Sequence, residues 1–266
     1  MSAPRTRVVP GPTGGLEVLS AGRGAPHTLF AHGLAGSIPT TRPYAAKVPG
    51  TRSFLHFRGH GASPVPVPGA PWPYAELAAE VEAVADAVGA TQALGISMGA
   101  GSLCAGLVER PDRFDRVALV LPAVIDRPRP EAATGRFAVL ADLVESGDVE
   151  AAAAHLLEEQ PPGVRADPAV RAWCRDQAGR LVGTDLADGL RSLPHQVAVP
   201  DREALRRVTA PVLVLAQEDD LAHPVDVAVE LAELFPGAKL HVLGPGGIMW
   251  AHRARVRDLV GEFFTP

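Results

Sequence analysis

The sequence predicts a single α/β domain with a mainly parallel sheet, interrupted once by a long helical insertion, and three observations carry that expectation. Short apolar runs at 28–31, 53–57, 91–96, 117–121, 212–216 and 239–243 alternate with stretches of helical spacing, the pattern of strands joined by crossover helices. From Asp126 to about Arg207 the alternation stops, and only Ala-rich helical patterns remain. Finally, Gly95-Ile96-Ser97-Met98-Gly99 lies between an apolar run and a helical pattern, so Ser97 falls on a strand-to-helix turn.

Composition sets the outer bounds. At 266 residues, 47% apolar and 21% charged, the chain is long enough for one large, well-buried core and is neither disordered nor a coiled coil. A formal net charge of −5, two lysines and scattered arginines argue against a nucleic-acid partner. The two cysteines, Cys104 and Cys174, make no disulfide framework and read as reduced thiols. No apolar block resembles a signal peptide or a bilayer span, so the expectation is a cytoplasmic protein with no membrane partner. Oligomeric state is not legible.

In chain order, residues 8–9 and 16–19 flank the turn cluster 11–15 and read as a leading β-hairpin. The strand 28–31 ends at His32-Gly33-Leu34; a helical piece follows near 40–47; the strand 53–57 ends in Arg58-Gly59-His60-Gly61. A Pro-rich loop at 64–73 precedes Tyr74–Val88, where Leu77, Val81, Val84 and Val88 mark one helix face. The strand 91–96 leads to Ser97, and the next helix stops near Pro111. Helical patterns at 135–145, 149–159, 169–181 and 185–193 fill the insertion. After the strand 212–216 come a helix at 225–235, the strand 239–243 and a closing helix at 253–264.

The turn at Ser97 is the chemically pointed feature. Glycines at 95 and 99 leave room for a strand and a helix to approach closely, and the helix beginning after Ser97 aims free N–H groups and its positive dipole end at any anion formed there. Ser97 in that position is a nucleophile for an acyl carbon. The backbone N–H groups of Leu34 and Met98 would bind the oxyanion. Asp220, just past the strand 212–216, would orient an imidazole, with Asp219 as the competing carboxylate.

With these residues in place the chain resembles the α/β-hydrolase superfamily over nearly its whole length. The resemblance rests on His32-Gly33, Phe57-x-Gly59-His60-Gly61-x-Ser63, the turn at 95–99 and Asp220 four residues before Pro224. It implies a mainly parallel sheet of the eight-stranded type with a helical lid inserted after the strand 117–121. Residues 1–125 and 208–266 would be the core, and 126–207 the lid. It also implies a nucleophile, an acid and a histidine in that chain order. His32 resembles the family's structural histidine beside the oxyanion turn, with ligand contact as the alternative.

The last element departs from the pattern, because Gly246-Gly247-Ile248-Met249-Trp250 puts Ile248 where the catalytic histidine usually stands. His252 is the favoured substitute base, reached through a loop at 249–251. His223 beside Asp220, and His155 and His195 in the insertion, are the alternatives; His27, His56, His60 and His241 read as structural. Ile248, Trp250 and His32 are expected to contact substrate. The spacing His56-x-x-x-His60 lacks nearby carboxylates, and with no dinucleotide or phosphate loop and no zinc spacing, neither cofactor nor metal is expected. The resulting expectation is a serine hydrolase-like protein acting on a small or medium apolar carboxylic ester or related acyl compound through Ser97, with an atypical or absent histidine base. A lyase, cyclase or acyltransferase on the same scaffold, or a degenerate ligand-binding protein, is the alternative.

Overall fold

A computed structural model describes residues 5–65, 67–129 and 131–265. Eight strands form one sheet in the order β1-β2-β4-β3-β5-β6-β7-β8: β1 (Thr6–Pro10), β2 (Gly15–Gly22), β3 (His27–Ala31), β4 (Thr51–Leu55), β5 (Gln92–Ile96), β6 (Arg116–Val120), β7 (Val212–Gln217) and β8 (Lys239–Leu243). The hairpin β1–β2 is antiparallel and β2 pairs antiparallel with β4, whereas β3 through β8 pair in parallel. The central strands are buried on both faces. Along β6, Val117 and Leu119 join one core while Ala118 and Val120 join the other, the period-two alternation of a covered sheet.

One face is covered by α2 (Tyr74–Val88), α3 (Met98–Glu109) and α8 (Val225–Leu234), the other by α9 (Arg253–Phe264) and the short segment around α1 (Ile38–Thr41). The helix read near 40–47 is in fact α1 followed by a 3-10 turn at Arg42–Ala45. Ser37 and Thr40 close a capping box at its start and Pro43 cuts it short. Gly89 ends α2 in the left-handed conformation at φ 71°, as a C-cap glycine does.

Between β6 and β7 lie α4 (Glu131–Ser146), α5 (Val149–Glu158), α6 (Pro168–Leu181) and α7 (Ala187–Ser192). Asp148 and Asp167 cap α5 and α6 through their side chains, and Pro168 opens α6. These helices bury a third apolar cluster of their own. Leu34, Ala35, Val65 and Trp250 pack against it, and the buried Trp72 belongs to it. The insertion therefore sits on the carboxyl-end loops of the sheet. Among the described residues no helix is long and apolar enough to cross a membrane.

Candidate active site

The turn at Ser97 forms as its glycines require. Ser97 lies at φ 50°, ψ −106°, a region few non-glycine residues occupy and one that is held only when its surroundings enforce it. A Cβ on Gly95 would lie 2.4 Å from the Gly99 carbonyl oxygen, and one on Gly99 would lie 2.4 Å from the Ala31 oxygen. Only glycine lets β5, α3 and the end of β3 come this close. The Ser97 N–H donates to the Val120 carbonyl at 2.9 Å, fixing the turn to β6.

The hydroxyl has a partner that sequence reasoning ranked second. His223 Nε2 lies 2.9 Å from Ser97 Oγ, and His223 Nδ1 lies 2.9 Å from Asp220 Oδ2. A carboxylate accepts only, so Nδ1 carries the proton and Nε2 is free to accept from the serine hydroxyl. Asp220 Oδ1 also accepts from the backbone N–H groups of Ala222 and His223 at 3.0 and 3.2 Å. Burial opposes ionisation of the Asp220 carboxyl, but the His223 ring and these two N–H groups outweigh it and hold the carboxyl below its usual range. Asp219 is exposed at φ 58° and makes none of these contacts.

The placement expected for His252 is corrected. Its Nε2 lies 2.9 and 3.1 Å from the carbonyl oxygens of Gly244 and Pro245, so the ring folds back on its own loop. A single π-helical turn, Gly247–Ala251, precedes α9 and leaves His252 at the junction between the two. His155 instead faces the Arg136 carbonyl at 3.1 Å, and His195 is exposed. The signal that could have singled out His223 is the spacing Asp220-x-x-His223, which in a helical turn puts both side chains on one side.

His32 is likewise corrected from a substrate contact to scaffold. It is 1% exposed; its Nδ1–H donates to the Gly33 carbonyl at 2.7 Å and its Nε2 accepts from the Phe57 N–H at 3.2 Å, so neither nitrogen is left for a ligand. His56 and His60 act in the same way. His60 Nε2 accepts from the Ala35 N–H at 3.2 Å, and His56 Nε2 accepts from the Ile38 N–H at 2.8 Å with Glu17 on its other nitrogen. The three rings pack together, His32 lying 4.5 Å from His60 and 5.6 Å from His56. They pin the backbone of 33–38, where Leu34 lies; Met98, as first residue of α3, has an N–H with no intrahelical acceptor. From the insertion, Gln177 Nε2 donates to the Ala35 carbonyl at 2.5 Å, so peptide groups on both sides of Ala35 are held.

Two expected outcomes follow from this scaffold. Burial pushes all three histidines down, His32 well below its usual value and His60 to about 4. The unfolded chain therefore binds protons that the folded chain does not, and stability present above about pH 6.5 is lost as pH falls towards the folded values. His60 alone contributes roughly 3 kcal/mol to that loss at about 1.4 kcal/mol per pH unit. Urea midpoints measured from pH 7.5 to 4.5 should fall steeply, and His60→Gln should flatten the curve; a pH-independent midpoint contradicts the assignment. The second outcome concerns Gln177. Gln177→Ala should lower kcat for an ester by about tenfold through a loosened Leu34 turn, with KM nearly unchanged. A change confined to KM would place Gln177 in substrate binding instead.

Ile248 is buried in the second core, and its N–H meets Gln217 Oε1 at 2.5 Å. Trp250 is half-buried, donates through Nε1 to Gln160 Oε1 at 2.9 Å and packs edge-on against Trp173 at 5.7 Å. Both line a half-open cleft of about 230 Å³ between α1, α9 and α6.

No model of a known protein family matches the sequence, and no curated protein matches it. Solved structures do match. A thermophilic esterase from Thermogutta terrifontis is 17% identical, with 99% of this chain and 100% of that one covered and a TM-score of 0.76. The enol-lactonase from Burkholderia xenovorans LB400 is 24% identical over 95% and 97% of the two chains, with a TM-score of 0.75. An α/β-hydrolase fold protein from Nakamurella multipartita is 18% identical over 98% and 99%, at a TM-score of 0.67. The chain has the α/β-hydrolase fold.

Proposed function

We propose that the protein is a serine hydrolase of small or medium apolar carboxylic esters, with Ser97 as nucleophile, His223 as general base and Asp220 as the carboxylate that orients it. The observation that carries this reading is the continuous contact Ser97 Oγ–His223 Nε2–His223 Nδ1–Asp220 Oδ2, 2.9 Å at each link between residues. As Oγ attacks the ester carbon, its proton passes to Nε2 and the carbonyl oxygen becomes an oxyanion held by the N–H groups of Leu34 and Met98. The imidazolium then gives that proton to the departing alcohol. Water enters next, loses a proton to the same nitrogen as it attacks the acyl carbon, and the imidazolium returns that proton to Oγ as the acyl bond breaks, releasing the acid and free Ser97.

The esterase and the enol-lactonase among the similar structures support acyl-oxygen cleavage as the chemistry. A base in contact with Ser97 also removes the reason for favouring non-hydrolytic catalysis or mere ligand binding. Residues 126–207 act as the lid in this reading, supported by their packing on Leu34 and Ala35, with 1–125 and 208–266 as the catalytic core. Ile248 and Trp250, expected to contact the substrate, line instead the cleft between α1, α9 and α6, whose lining does not include Ser97 or His223. The test is labelling with an activated alkyl phosphonate, read by intact mass and peptide mapping alongside turnover of p-nitrophenyl butyrate. One label on the peptide containing Ser97, with turnover lost in proportion, is expected. A folded protein that takes no label and turns over no ester overturns the reading.

A further inference from the structure

The cleft between α1, α9 and α6 is a second place where chemistry collects. Its floor and walls are apolar and aromatic, with Tyr44, Ile248, Trp173 and Trp250 prominent, while Arg253 and Arg257 stand on its rim. Those arginines are four residues apart on α9, so their guanidinium groups share one face a helical turn from each other. Like charges at that spacing repel. The nearest carboxylate in sequence, Asp258, is taken by Lys47 at 2.5 Å, and among the described residues neither arginine ion-pairs with a carboxylate. Arg257 Nε is buried with no hydrogen-bond partner. Three other arginines have carboxylate pairs, Arg58 with Glu76 and Glu80, Arg113 with Glu82 and Asp86, and Arg202 with Asp126 and Glu230, whereas Arg52 and Arg129, like Arg257, keep buried nitrogens without a hydrogen-bond partner.

We propose that this cleft binds an anionic amphiphile, a medium-chain carboxylate whose apolar chain lies against the tryptophan pair and whose carboxylate is gripped by Arg253 and Arg257. The volume, about 230 Å³, is below that of a drug-sized pocket and suits a single short chain. A carboxylate accepts two parallel N–H bonds from one guanidinium or bridges two of them, relieving their repulsion and satisfying the buried Nε. A neutral alcohol of the same length would gain the apolar contact alone. Nothing in the argument requires Ser97 to be a nucleophile.

Binding is read without turnover. Of the chain's three tryptophans, Trp173 and Trp250 line the cleft, while Trp72 is 1% exposed within the core of the insertion, so intrinsic fluorescence reports on occupancy. Titration with octanoate should give a saturable change, weaker for 1-octanol, and Trp173→Phe should diminish the signal. The Arg253→Gln/Arg257→Gln double variant should raise the octanoate Kd by about tenfold or more and leave octanol untouched. Arg253→Gln alone, on an exposed side chain, should give a smaller rise in the same direction. Equal affinity for octanoate and octanol, an octanoate Kd unchanged in the double variant, or no saturable response in the wild type each overturns the proposal. Loss of ester turnover with octanoate binding intact would bear on Ser97 and leave this site standing.

Discussion

His223→Ala is expected to lower kcat for an activated aryl ester by about 10⁶-fold, the loss that accompanies removal of the base from a serine–histidine relay. Without the imidazole, Ser97 Oγ has no acceptor for its proton at 2.9 Å, and the hydroxyl at neutral pH is a poor nucleophile. What remains is the stabilisation of the oxyanion and the binding of substrate. The companion variant His252→Ala should leave kcat within about twofold, because its ring touches only the carbonyls of its own loop and such sites have small effects. Steady-state rates for the pair, with circular dichroism to show that both fold, decide the matter. The reverse ranking, with His252→Ala inactive and His223→Ala active, would return the base to the β8–α9 connection.

Ser97→Ala should be as damaging, again by about 10⁶-fold in kcat, and should abolish phosphonate labelling. The informative measurement is the double variant. In the proposed mechanism Oγ and Nε2 act as one unit, so Ser97→Ala/His223→Ala should be no slower than either single variant; the costs do not add. Two independent contributions would multiply, and a double variant slower than both singles by a further factor of about 10³ would show that the two residues do not work together. Stability should change little, since Ser97 is half-buried and its strained backbone is set by Gly95 and Gly99.

Most of the fold was legible because its signals are local. Alternation of apolar runs gave the parallel strands, Leu77–Val81–Val84 gave the buried face of α2, and Gly95/Gly99 gave the turn at Ser97. β4, read as 53–57, spans Thr51–Leu55: polar, half-buried Thr51 and Arg52 carry no apolar signal, while His56 and Phe57 are as buried as the strand before them. Within the site, Asp220 was readable from its place after β7. The contact of His223 with Ser97 was not, because expectation fixed on the connection after β8. The spacing Asp220-x-x-His223 pairs the two side chains along the chain, but the contact of the ring with Ser97 spans 126 residues of sequence and is visible only in the fold. His32 follows the structural reading that the resemblance implied, not the ligand contact given as its alternative: partners for both its nitrogens come from the folded backbone.

Carboxylate and imidazole belong to one four-residue stretch, Asp220 to His223, closed by a hydrogen bond from the His223 N–H to the Asp220 carbonyl at 3.2 Å. In the proposed mechanism, acid and base therefore travel as a cassette. A rocking of that stretch preserves their mutual alignment and changes a single gap, the one to Ser97, so the relay has one joint to adjust where a two-loop arrangement has two. It also relieves the β8–α9 connection of any reacting atom. That connection is free to drift in sequence, to lengthen, or to be exchanged for another loop in the laboratory, under selection for what it packs against rather than for proton transfer.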